Sequence, residues 1–212
     1  MTPRPQPRTA LASIADNASA ATIDDGTLMA RIAGGDLEAL GLLFDRYVED
    51  VRRCLLRLGV SDFEVDDLVQ LTFLDVPRSA ARFEAGRGAK AWLLGMASMH
   101  VRRHRRSMAR WVKRIAGRAF EENRPRPRQP DELLGSRQDQ ARFYAALETL
   151  SDKKREVFVL VNLEGVSSEE VASALGIPVA TVWTRLHHAR KALRAALDDT
   201  PKEARNPRDE QG

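Results

Sequence analysis

The chain has 212 residues and one cysteine, Cys54. An intramolecular disulfide and a cysteine-rich metal cluster are therefore both excluded. Cys54 lies between Val51 and Leu55 in an amphipathic run and reads as a small buried apolar residue. Aromatic residues make up only 6%, and no apolar run approaches the ~20 residues of a membrane span. The histidines number four. Two of them, His100 and His104, have an i, i+4 spacing compatible with a metal, but no third ligand accompanies them, so no metal site and no cofactor are expected. No Ser/His/Asp, Cys/His, paired-carboxylate or phosphate-loop pattern occurs, which argues against an enzyme. Arg4 and Arg8 are followed by Ala-, Ser-, Asp- and Asn-rich sequence rather than an apolar core. No signal peptide is read there, and a cytoplasmic location is expected. Strand-like alternation is also missing, so the expected fold class is all-α.

Charge is plentiful and unevenly placed. The whole chain carries a formal +4. Residues 27–76 hold ten acidic and five basic side chains, a net −5, whereas residues 102–128 hold eleven basic and two acidic ones, a net +9. The first stretch suits a basic protein surface and the second a phosphate backbone.

Apolar spacing places the helices. Residues 1–26, rich in Pro, Ala, Ser and Thr, read as a disordered tail. From Asp36, Leu40, Phe44, Tyr47, Val51, Leu55 and Leu58 recur every three or four residues, and Gly59 ends the run. Ser61-Asp62-Phe63-Glu64 has the spacing of a capping box. The helix after it carries Val65, Leu68, Val69, Thr72, Phe73 and Val76 on one face, and Pro77 is expected to break or kink it. Residues 84–88 read as a flexible loop. A helix over about 89–107 is apolar at Trp92, Leu93 and Met96 and then strongly basic. Residues 108–137, with Arg-Pro-Arg-Pro-Arg-Gln-Pro at 124–130, read as a linker. Helical spacing resumes at Phe143, Leu147 and Leu150, continues through Val157, Phe158, Leu160 and Val161, and turns at Glu164-Gly165. Ser167-Ser168-Glu169-Glu170 has the spacing of a second capping box, and Gly176-Ile177-Pro178 separates two final helices before a polar tail at 198–212. The expected architecture is two small helical domains joined by a flexible linker, the C-terminal one a helix-turn-helix.

In that motif Val182, Leu186, Ala189, Leu193 and Leu197 are expected to face inward. Thr181, Trp183, Thr184, Arg185, His188, Arg190 and Lys191 then project outward. A recognition helix reads base edges near its N-terminus and holds phosphates further along. Thr184 and Arg185 suit base edges, and Arg190 and Lys191 suit phosphate.

Asp66-Asp67-Leu68-Val69-Gln70-Leu71-Thr72-Phe73-Leu74 resembles the polymerase-binding helix of sigma factors. Phe83, a glycine-containing loop, Ala91-Trp92-Leu93 and the basic helix end resemble the adjoining promoter-melting segment. Glu156-Val157-Phe158, Ser168-Glu169-Glu170-Val171-Ala172, Leu175-Gly176-Ile177-Pro178 and Arg185-Leu186-His187 resemble sigma region 4. Over 27–107 and 138–197 the chain resembles the minimal bacterial extracytoplasmic-function sigma factors, which contain only regions 2 and 4. The resemblance implies that Asp66, Asp67, Leu68, Gln70 and Phe73 bind the clamp helices of the largest subunit of core RNA polymerase. It implies that Phe83, Gly86, Arg87, Gly88, Trp92, Arg102, Arg103, Arg105 and Arg106 serve the downstream promoter element and its melting. Thr181, Trp183, Thr184, Arg185, His188, Arg190 and Lys191 would serve the upstream element of promoter DNA. It further implies an anti-sigma partner. The chain departs from the family pattern at Pro77, Met99, Arg103 and Trp183. Two other readings compete: a stand-alone helix-turn-helix regulator, against which the Asp66–Leu74 motif speaks, and a protein-only adaptor, against which the arginine cluster speaks.

Overall fold

The computed structural model describes residues 23–84, 86, 88–115 and 137–198. The tail at 1–22, the central linker at 116–136, the C-terminal tail from 199 and Arg87 lie outside the described residues. Every regular element among those described is helical.

The N-terminal domain begins earlier than the apolar spacing suggested. Helix α1 spans Asp25–Ala33, capped by the Asp24 carboxylate, which accepts from the Thr27 backbone N–H at 3.0 Å. Its Leu28, Met29 and Ile32 are buried. Helix α2 (Leu37–Arg57) is capped by Asp36. Arg46 and Tyr47 on α2 both reach Asp25, each at 2.5 Å, and fix α1 across it. The buried stripe of α2 is Ala39, Leu43, Val51, Cys54 and Leu55, while Phe44 is exposed. The expected stripe is therefore rotated in its first half. Gly59, at φ 86°, ends the run as expected, in a conformation that costs glycine little.

Helix α3 spans Val65–Ser79 and buries all six residues of its predicted face. Two expectations fail around it. The Ser61–Glu64 capping box does not form: the helix starts at Val65 without a side-chain cap, and the Ser61 hydroxyl donates to the Glu64 carboxylate at 2.6 Å instead. Pro77 does not break α3, which continues for two more residues and then tightens into a 3₁₀ turn over Ala80–Arg82. Helix α4 runs from Ala89 to Ile115, eight residues beyond its expected end at Ser107 and into the segment read as linker.

The C-terminal domain contains α5 (Arg137–Glu148), α6 (Asp152–Phe158), a π-helical turn over Val159–Leu163, α7 (Ser168–Leu175) and α8 (Val179–Asp198). The second capping box does form, with the Ser167 side chain and the Glu170 carboxylate each serving the other's backbone N–H. Gly176 closes α7 at φ 64°, the left-handed cap that glycine permits. Val182, Leu186, Ala189 and Leu193 of α8 face the core, as the spacing predicts.

The two domains pack against each other. Helix α4 lies on α7, and Gly95 makes the close approach: a Cβ there would stand 2.7 Å from the Ala174 Cβ. At the end of α2, Arg57 donates to the Glu164 carboxylate at 2.8 Å and to the Leu163 carbonyl at 3.0 Å. Both side chains are buried. Arg155 of α6 is buried too and donates to the carbonyls of Leu147, Glu148 and, at 3.3 Å, Leu58 of the other domain.

His100, buried on α4, lies 3.2 Å from the Asp75 carboxylate without hydrogen-bond geometry. Burial lowers its pKa below the ordinary 6.5, against the pull of Asp75. The folded chain thus resists a proton that the unfolded chain accepts, so stability is held above 6.5 and falls as pH drops toward the lower folded value. Thermal unfolding between roughly pH 7 and 5 should show this loss, and His100→Gln should flatten it. An unchanged pH slope in the variant would contradict the assignment.

Candidate nucleic-acid and protein-docking faces

The acidic face of α3 is exposed at Asp66, Asp67 and Gln70. Asp66 is also engaged within the domain, accepting from Arg52. Leu68 and Phe73, grouped with these residues on sequence, are only 3% and 5% exposed. Phe73 meets Phe44 edge-on with ring centroids 4.8 Å apart. Both pack the helix on its core, with little of either side chain at the surface. The apolar residues that do face outward are Leu71 and Leu74, at 47% and 65% exposure. Sequence reasoning missed them, although positions 67, 70, 71 and 74 share one helical face through their spacings of three and four.

The 84–88 loop leads into the basic helix. Gly86 and Gly88 are exposed. Phe83 and the half-buried Trp92 contact edge-on, with ring centroids 5.7 Å apart. On α4 the apolar stripe of Ala89, Leu93, Leu94, Met96, Ala97 and Val101 is buried, and the arginines begin immediately after it. The quartet does not act as one group. Arg103 and Arg106 are exposed. Arg102 donates to Glu156, and Arg105 donates to Asp152 at 2.5 Å and to the Leu58 carbonyl. Their placement against acidic side chains 54 and 47 residues away could not be read from local spacing. Burial raises the Glu156 pKa, with Arg102 opposing. The two α4 histidines do not converge on a shared site, since His104 lies 2.8 Å from Glu64 and His100 near Asp75. Among the described residues no group of three side chains is placed to hold a metal.

On α8, Trp183, Thr184, His188, Arg190 and Lys191 are exposed, and Thr181 and Arg185 are partly covered. The Thr184 hydroxyl donates to the Ala180 carbonyl at 2.9 Å, and Arg190 donates to Asn162 at 3.2 Å. Arg185 is near enough to Glu156 to favour its ionised form. The arrangement presents a helix with a hydroxyl and a guanidinium in its first turns and cations beyond them.

The descriptions Sigma-70 region 2 and Sigma-70, region 4 match residues 43–112 and 140–193. RNA polymerase sigma factor CnrH of Cupriavidus metallidurans is 30% identical over 184 residues, covering 82% of this chain and 94% of CnrH. The chain belongs to the extracytoplasmic-function sigma factors. The sigma-E factor of Escherichia coli is 29% identical over 178 residues, covering 81% of this sigma factor and 93% of that one. Among solved structures, CnrH in complex with the cytosolic domain of CnrY superposes with a TM-score of 0.58 at 29% identity, covering 83% of this chain and 99% of that one. RpoE of Bartonella quintana in complex with the anti-sigma factor NepR gives 0.61 at 26% identity, covering 74% and 96%. A sigma factor binds core RNA polymerase and directs it to promoters. No helix among the described residues is long and apolar enough to cross a membrane.

The reassignment on α3 has a direct test in stability. Phe73→Ala should cost about 3–5 kcal/mol in urea unfolding. Leu74→Ala, at an exposed site, should stay within about 0.5 kcal/mol of the parent. Equal losses would show that both residues belong to the core.

Proposed function

We propose that this sigma factor divides initiation among three faces. Asp66, Asp67 and Gln70, with Leu71 and Leu74 between them, dock on the clamp helices of core polymerase. The observation that carries this is the pair of exposed leucines inside an acidic, hydrogen-bonding rim, the composition of a small protein-docking patch. The downstream element and its melting fall to Phe83, Trp92, the 86–88 loop and Arg102, Arg103, Arg105 and Arg106. Aromatic stacking and cationic backbone contacts hold single strands, and glycines let a flipped base approach the backbone. Thr181, Trp183, Thr184, Arg185, His188, Arg190 and Lys191 take the upstream element. The factor works in the cytoplasm, where its polymerase and DNA are, and performs no catalysis itself. CnrH is solved with the cytosolic domain of CnrY and RpoE with the anti-sigma factor NepR, and that similarity supports an anti-sigma partner for this chain.

Run-off transcription from a genomic promoter library, with core polymerase and with or without this chain, tests the reading. Transcripts that depend on the chain are expected, and their absence would contradict it. Leu71→Ser with Leu74→Ser should keep the chain folded and reduce core affinity by about tenfold or more. A folded double variant that binds core like the parent would remove the docking assignment.

Specificity gives a second measurement. The Arg185 fork is the strongest candidate for guanine, and losing such a contact costs about 1–3 kcal/mol. Arg185→Ala should relax preference at one position of the upstream element when holoenzyme is titrated against single-base variants. An equal loss for every variant would make Arg185 a phosphate clamp.

A further inference from the structure

Phe63 is the most exposed large apolar residue among those described, at 95%. It stands in the turn between α2 and α3, and that turn is tied down. The Glu64 and Val65 backbone N–H groups donate to the Ser61 carbonyl at 3.1 and 3.0 Å. The Ser61 hydroxyl donates to one Glu64 carboxylate oxygen at 2.6 Å, and His104 of α4 lies 2.8 Å from the other. The carboxylate expected to cap α3 ties the turn to α4 instead. Hydrogen bonds from Ser61 and His104 hold the Glu64 pKa below its ordinary value, against partial burial. One exposed apolar side chain is ordinary on a protein surface, but Phe63 does not stand alone. The bond from Val65 to Ser61 spans four residues, so the turn enters α3 close to helical phase. At about 100° per residue, Phe63, Asp67, Gln70, Leu71 and Leu74 fall within an arc of about 100°. All five are exposed, and at about 1.5 Å per residue they extend over about 16 Å.

We propose that Phe63 is the aromatic anchor of the polymerase-docking face, and that the Ser61–Glu64–His104 network presents it. The proposal rests on the assignment of Asp67, Gln70, Leu71 and Leu74 to core polymerase made above, whose face Phe63 continues beyond the start of α3. The occupant is the clamp-helix surface of core polymerase, with an apolar pocket for the ring and cationic groups around it. Asp62, Asp66 and Asp67 are exposed about the ring's end of the face, so the complementary rim is basic. Binding energy at protein interfaces concentrates in a few anchors, among which aromatic side chains are over-represented and leucine is not. A group already held in its bound position loses less freedom on docking. A ring on a tethered turn therefore contributes more than the same ring on a loose loop. Phe63 touches the partner, while Glu64 and His104 act through it and are positioning residues.

The test titrates the full chain against purified core polymerase without DNA, by biolayer interferometry. Phe63→Ser should weaken core binding by about tenfold or more. Its urea midpoint and far-UV circular dichroism should stay those of the parent, because the ring lies in water in the free chain. Phe63→Tyr keeps the ring and should bind like the parent. His104→Ala frees the turn and should weaken core binding about threefold. His104→Gln can still donate to Glu64 and should restore it. Adding His104→Ala to Phe63→Ser should cause no further loss, since the tether acts through the ring. Parent-like core affinity in a folded Phe63→Ser chain would overturn the proposal, and an additive loss in the double variant would overturn the positioning role. The chain carrying Leu71→Ser and Leu74→Ser separates this proposal from the reading beneath it. If that chain loses core affinity and Phe63→Ser does not, the anchor falls and the docking face stands. If neither loses affinity, both fall. Loss with Phe63→Ser alone would keep the anchor and remove the leucines.

Discussion

The Arg57–Glu164 pair is the interaction on which the arrangement of the two domains depends. Both side chains are withdrawn from water, and each comes from a different domain. Removing one partner of a buried pair strands the other charge and costs about 3–5 kcal/mol. In most proteins that cost falls on folding. Here it falls also on the junction, because the two charges come from different domains. Arg155 and Glu156 extend the same logic, since both are buried at the junction and both reach across it. Charged pairs and one close glycine contact thus give part of this interface the polar character common at domain junctions.

Helix α4 carries this arrangement to the cationic surface. Its first turns are fixed in the N-terminal core by Ala89, Leu93, Leu94 and Ala97, and Gly95 interrupts that packing where α7 lies closest. Beyond Val101 the same rigid rod carries arginines toward the other domain and toward solvent. One continuous helix thus supports the core, the junction and the cationic surface.

The helix-turn-helix was legible because its signals are local. The Ser167–Glu170 box, Gly176 and the inward spacing of Val182, Leu186 and Ala189 all lie within a few residues of what they control. The same spacing misled at Ser61–Glu64, where the hydroxyl found the carboxylate itself and left the backbone uncapped. Helix α1 was hidden beside a Pro-, Ala- and Ser-rich tail, although Asp24 and Thr27 carried its start. On α3 the apolar pattern identified the core face, but the outward placement of Leu71 and Leu74 needed the fold. The ion pairs between domains had no sequence signal, because their partners are separated by 47 to 111 residues and meet only through packing.

The central claim is that the two domains are held on each other in the free chain by the buried pair Arg57 and Glu164. The most direct measurement is X-ray scattering of the free chain beside an Arg57→Ala variant, with far-UV circular dichroism to follow the helices. The account predicts a larger radius of gyration in the variant while its helices are retained. An unchanged radius of gyration in a helical variant would contradict it.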